Sequence, residues 1–177
     1  MPARAAALTE PAATALHALN LSMRALSRPL PEARLLVIGG GAVGLLSALL
    51  AQAYGCRDVR LAETNALRRA AAAAAGRAGG LDVVDPADPA SHSDNAFDLV
   101  IDAVGAAPTR NAAMAAVKPG GVVMHIGLAD WASEIDMRKL TLAEITLLGT
   151  YTYSTADLRA TVAALHGGAF GGLEWVE

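Results

Sequence analysis

The spacing of apolar and polar residues divides the chain near Arg34. Before it, AATALHAL (12–19) carries small and apolar residues at helical spacing. Thr9 or Glu10 could cap that helix, and Pro11 suits a first helical position. SRPLPEAR, with Pro29 and Pro31, breaks the pattern and reads as a connection. From Arg34 on, short apolar runs alternate with longer helix-like ones. Strands are predicted over 35–38, 59–62, 83–84, 99–103, 122–126 and 146–150. Helices are predicted over 42–54, 67–75, 109–117 and 154–166. Gly55, Gly76, Pro119-Gly120-Gly121 and Gly167 stand where those helices should stop, and Ser154 with Asp157 resembles a capping box. Strands alternating with helices imply βαβ units, hence a parallel sheet with right-handed crossovers and helices on both faces.

One stretch allows two readings. LLVIGGGAVGLLSALLAQAYGC carries no charge between Arg34 and Arg57, and a membrane helix needs only about 20 apolar residues. Against a span stand three consecutive glycines, each costing about 1 kcal/mol of helix propensity relative to alanine, and the absence of an aromatic belt. The alternative is a buried strand, a tight turn and a helix. Gly39-x-Gly41-x-x-Gly44 then follows a strand and opens a helix. The first glycine permits the turn, the second lets backbone approach a pyrophosphate, and the third packs the helix close on the strand. Gly40 becomes the variable position, and Ala42 and Val43 supply N–H groups at the helix start. Glu63 ends the second strand about 20 residues further on, where an acid accepts hydrogen bonds from an adenosine ribose. A carboxylate there repels a 2′-phosphate, which favours NAD over NADP; Arg60 and Arg68 are cations that weaken the preference. The bland reading is a packing turn with a solvated Glu63. The fold expected is α/β, a doubly wound Rossmann arrangement with a six-stranded parallel sheet.

Composition adds exclusions. The net charge of −3 and a pI near 5.8 give no basic face for nucleic acid. Much of the 54% apolar fraction is alanine, which points to packed helices rather than to an oily protein. A single cysteine, Cys56, allows no disulfide framework or cysteine zinc cluster within the chain and suits a reducing, cytoplasmic setting. At a helix C-terminus it should be unreactive. No signal-peptide core precedes Glu10. His17, His92, His125 and His166 show no metal-ligand spacing and read as ordinary histidines, His125 being nearest the expected site.

EPAATALHAL, VIGGGAVGLLSALLAQAYG, AETNALRRA, FDLVIDAVG, KPGGVVMHIGL and ITLLGTYT, in this order, resemble the medium-chain dehydrogenase/reductase superfamily, above all its zinc-dependent alcohol and polyol dehydrogenases. The resemblance runs from about Ala7 to Gly167. It implies that Arg68 flanks the adenosine ribose and that Val104 and Gly105 form a loop passing the cofactor. Ile126, Gly127 and Leu128 would lie beside the nicotinamide, and Thr150 and Tyr151 would contact its carboxamide. Ile126 and Leu128 could equally be core, and Tyr151 and Tyr153 plain packing aromatics. Glu10, before Pro11, would lie at a catalytic zinc as a ligand or near neighbour; its alternative is a helix-start glutamate favoured by the dipole.

The resemblance further implies that residues 1–33 are a helical lead-in from a catalytic domain outside this chain, and that 34–177 form the NAD-binding domain. The full enzyme would transfer a hydride between an alcohol or polyol and NAD with zinc assistance, while this chain alone binds cofactor without turnover. A homo-oligomer, dimer or tetramer, would form through the sheet edge near 131–149. Two rival readings share parts of this pattern. An S-adenosylmethionine-dependent methyltransferase usually has an acid just before its glycine loop, whereas Val37-Ile38 stand here. A non-catalytic nucleotide-sensing module would share the phosphate loop.

Overall fold

The computed structural model describes residues 3–91, 93–171 and 173. Six strands form one parallel sheet in the order β3-β2-β1-β4-β5-β6. They are β1 (Arg34–Ile38), β2 (Asp58–Ala62), β3 (Asp82–Val84), β4 (Phe97–Asp102), β5 (Val117–His125) and β6 (Thr146–Gly149). The order reverses direction at β1 and β4, which pair with each other, and the crevice of a doubly wound sheet opens at that point. Helices α1 (Ala3–Ala7), α2 (Thr9–Ala25), α3 (Ala42–Ala53), α4 (Ala66–Ala75), α5 (Ala107–Ala116), α6 (Met137–Leu142) and α7 (Thr155–His166) complete the fold.

The uncharged stretch is resolved by this topology. Leu35 to Ile38 are central and buried, and the following helix buries Leu45, Leu46, Leu49 and Leu50 between the sheet and its neighbours. No helix among the described residues is long and apolar enough to cross a membrane. Alanine does distinct work here. Ala12, Ala15 and Ala18 of α2 and Ala48 and Ala51 of α3 are fully buried in one cluster, so the two backbones approach closely. That cluster, joined by Leu165 of α7, covers one face of the sheet. On the other face α5 and α6 cover Leu36, Ile38, Val100 and Val123.

Several boundaries differ from the expected ones. No side chain caps α2, because α1 runs into it through Leu8, which is itself helical in conformation, and Ala12 N–H already has the Leu8 carbonyl. Pro11 is therefore the third residue of the helix and not its first. Val117 already pairs with Phe97, so Pro119 to Gly121 bulge within β5 rather than preceding it. α6 was not expected; Asp136 caps it by accepting from Lys139 N–H at 2.8 Å. Gly55 (φ +91°) follows α3 as expected, and the Ser154–Asp157 capping box at α7 is present.

Candidate functional site

At the carboxyl end of β1 the chain turns through Gly39 at φ +98°, a conformation that penalises any side chain. A Cβ there would also lie 2.6 Å from Val104 Cγ2. At Gly44 a Cβ would lie 1.9 Å from the Gly39 carbonyl oxygen, so α3 sits directly on the turn. Gly41 differs. Its φ is an ordinary −70°, and a Cβ would meet nothing within 4 Å. Nothing within the described fold demands glycine there, and the space in front of it is open. Gly41 is also the N-cap of α3 with no side-chain bond to the helix start, so the N–H groups of Ala42, Val43 and Gly44 and the positive dipole end face that space. The arrangement fits a phosphate. Gly40 is less free than a variable position would be. A Cβ would stand 3.1 Å from Glu63 Cβ and from Leu61 Cδ2.

Glu63 is buried, 6% exposed, one residue past β2. Its Oε2 accepts from Gly40 N–H at 2.8 Å, and its Oε1 from Asn65 N–H at 2.7 Å. Burial would raise its pKa, yet these two N–H donors, with the Thr64 hydroxyl and the Arg68 guanidinium, hold the carboxyl below its usual range. It is a charged acceptor fixed beside the glycine turn. Arg68 reaches it at 4.0 Å and is otherwise exposed. Arg60 is turned away. It bonds Asp82 and lies over Phe97, under the sheet, so its bearing on a 2′-phosphate disappears.

The other half of the rim is built on Asp102, which sequence reading passed over. Fully buried at the end of β4, its Oδ1 accepts from Val104 and Gly105 N–H at 3.0 and 2.9 Å, and its Oδ2 from the Thr109 hydroxyl. This shapes the β4 loop. Gly105 and Gly127 then touch backbone to backbone; a Cβ on Gly105 would lie 1.8 Å from the Gly127 carbonyl oxygen. Ala129 and Asp130 N–H donate to the carbonyls of Val104 and Gly105. Ile126 packs into the core, whereas Leu128 is 78% exposed and is no core residue. Thr150 N–H donates to the His125 carbonyl at 3.2 Å, and Tyr151 beyond it is exposed, which removes its reading as a packing aromatic. Gly39, Gly41 to Gly44, Glu63, Arg68, Val104, Gly105, Ile126 to Leu128, Thr150 and Tyr151 therefore share one rim, the carboxyl ends of the strands.

Glu10 is exposed on the first turn of α2. Among the described residues no three His, Cys, Asp or Glu side chains cluster as a metal site. His17 bonds Asp157, His125 accepts from Arg110, His166 is exposed at the end of α7, and His92 lies outside the described residues. Cys56 is buried, and burial pushes its thiol up to about 11, which leaves it inert.

Comparison with known proteins follows the same outline. Over 155 residues the chain is 30% identical to L-threonine 3-dehydrogenase of Mesorhizobium japonicum, covering 85% of this chain and 43% of that protein. Acetophenone reductase from Geotrichum candidum in complex with NAD superimposes with a TM-score of 0.83 at 25% identity, over 96% of this chain and 47% of that one. A Sinorhizobium meliloti 1021 protein assigned as a zinc-binding dehydrogenase and bound to NADP gives 0.78 at 26% identity, over 93% and 49%. The chain thus spans about half the length of the proteins it matches. The family model described as zinc-binding dehydrogenase matches residues 42–167, from the start of α3 to the residue after α7, and the chain belongs to that family.

Proposed function

We propose that residues 34–177 are the NAD-binding domain of an oxidoreductase that transfers a hydride between an alcohol or polyol and NAD. Residues 1–33 are proposed as the lead-in from a catalytic domain. The observation that carries this reading is Gly41, a glycine required by neither backbone angle nor packing, facing the uncapped start of α3 beside a buried carboxylate. In this reading the N–H groups at Gly41 to Gly44 hold the pyrophosphate. Glu63 and Arg68 take the adenosine ribose, and the charge on Glu63 disfavours a 2′-phosphate. Val104 and Gly105 form the loop that passes the cofactor, Ile126 to Leu128 lie beside the nicotinamide, and Thr150 and Tyr151 present backbone to the carboxamide. When bound, the cofactor supplies the hydride acceptor; this chain binds and orients it.

Among the described residues no three side chains form a zinc site. Glu10 is proposed as a side chain directed toward a zinc whose other ligands come from outside this chain. The compartment proposed is the cytoplasm, in keeping with one buried free cysteine. A homo-oligomer is proposed through the β6 edge. Family membership sets the methyltransferase reading aside.

The test is titration of the purified chain with NADH, followed by nicotinamide fluorescence and calorimetry. Saturable binding with no alcohol-dependent NAD reduction is expected. No signal at millimolar NADH would remove the cofactor reading, and turnover by the chain alone would remove the division of labour.

A further inference from the structure

Arg110, on the first turn of α5, spends its guanidinium on three acceptors in one region. Nε donates to His125 Nε2 at 2.9 Å, Nη1 to Ser133 Oγ at 3.0 Å and Nη2 to the Asp130 carbonyl at 2.7 Å. His125 accepts, so its ring proton is on Nδ1. The segment held this way, 130–133, does not rest on packed core. Beneath it lies a cavity of about 370 Å3 whose lining includes Met114, Val123, Ile135 and Leu148. Trp131, the large apolar side chain of the segment, stands at the edge of this cavity and is fully exposed, so it leaves the cavity open rather than filling it.

Polar bonds therefore hold the segment. On the crevice side they are Ala129 and Asp130 N–H to the β4 loop and Ala107 N–H to the Asp130 carboxylate. On the sheet side they are those of Arg110. The same segment continues directly from Ile126 to Leu128.

We propose that Arg110 is a positioning residue for the nicotinamide-side wall, and that through it the chain distinguishes a complete dinucleotide from one that lacks the nicotinamide. The proposal rests on the cofactor reading above. In that reading the wall meets the nicotinamide end, whereas the glycine turn and Glu63 lie across the rim just past β1 and β2, hydrogen-bonded to each other and to neither Arg110 nor its partners. A planar fork meets three divergent acceptors; a lysine ammonium on a flexible stem cannot meet all three.

The experiment measures affinity of the chain for NADH and for ADP-ribose, which lacks the nicotinamide, by calorimetry near neutral pH. Arg110→Met should weaken NADH about tenfold, the loss expected from removing charge-assisted hydrogen bonds that hold the wall. ADP-ribose should stay within about twofold. Arg110→Lys should fall between, and Ser133→Ala should show a smaller loss confined to NADH. Equal loss on both ligands, or no loss on NADH, overturns the proposal. If Arg110→Met does not fold, Ser133→Ala and Arg110→Lys decide by the same criterion. Wild-type chain that binds neither ligand fails the cofactor reading and takes this proposal with it; wild-type binding of both with no NADH-specific loss in the variants fails this proposal alone.

Discussion

Gly40 and Glu63 are joined by a 2.8 Å hydrogen bond from the Gly40 N–H to the Glu63 carboxylate. The ribose-side acid of β2 and the phosphate turn of β1 are thus one unit, and a change in either reaches both. Glu63→Gln replaces a charged acceptor with an amide that can satisfy only one of its two N–H donors without turning a donor toward the other. Loss of about 1–3 kcal/mol in unfolding free energy is expected, with NADH affinity weakened about tenfold or more. Denaturant melts and NADH titration of the same preparation check both; an unchanged melt would show that the carboxylate is solvated rather than built in.

The glycines of the turn separate folding from binding. Gly41→Ala places a methyl in open space at an ordinary φ, so its melting temperature should match wild type while NADH binding is lost. Gly44→Ala drives a methyl into the Gly39 carbonyl oxygen at 1.9 Å, and Gly39→Ala must hold φ +98° against Val104. Both should destabilise by about 2 kcal/mol or more. The pair of readouts is decisive, because a cofactor-independent role for Gly41 predicts no binding defect at all.

What could be read before the fold was in view follows from where the signals live. Residues 35–44 announce themselves locally: an apolar run, glycines at fixed offsets and a helix-like pattern each depend on neighbours a few positions away. Glu63 is found by distance along the chain. Asp102 and Arg110 were missed because their partners define them. A lone Asp ending an apolar strand is a weak sign of a turn about to be bonded, and its offsets of two and three residues to Val104 and Gly105 were the available clue. Arg110 meets residues 125, 130 and 133 only because α5 returns beside β5, and no local pattern encodes that. α6 is six residues long, too short for periodicity to register. Gly40 looked variable because the rule for the turn ignores what β2 brings alongside it.

The β6 edge tests the proposed oligomer. Among the described residues Thr146–Gly149 pairs with β5 alone, which leaves its other side open. Leu147 on that strand is 38% exposed, and Met137, Leu142 and Trp131 nearby are more so. Unpaired edges with apolar side chains invite pairing, and a lysine on an edge blocks it. The chain should run as a dimer in light scattering at micromolar concentration, and Leu147→Lys as a folded monomer. A monomeric wild type across that range would remove the edge-on arrangement for this chain.

Acid stability should be governed in part by a clasp far from the crevice. Asp157, at the start of α7, accepts from the Ser154 hydroxyl and N–H, from Asn20 Nδ2 at 2.9 Å, and faces His17 Nδ1 at 2.8 Å, so it ties α7 to α2. Burial would raise its pKa, but the Ser154, Asn20 and His17 bonds outweigh burial and take it from 3.8 to about 2. The folded value lies below the unfolded one, so the folded state favours the ionised form. Its contribution, about 2 kcal/mol, is fully present above the ordinary aspartate range and is lost as pH falls from about 4 toward 2. Asp157→Asn should lower stability by about that amount near neutral pH, while at pH about 2 the variant and wild type should converge. Urea melts across that range give the answer: a constant gap between the two proteins at every pH would mean that the clasp acts through shape and not through charge.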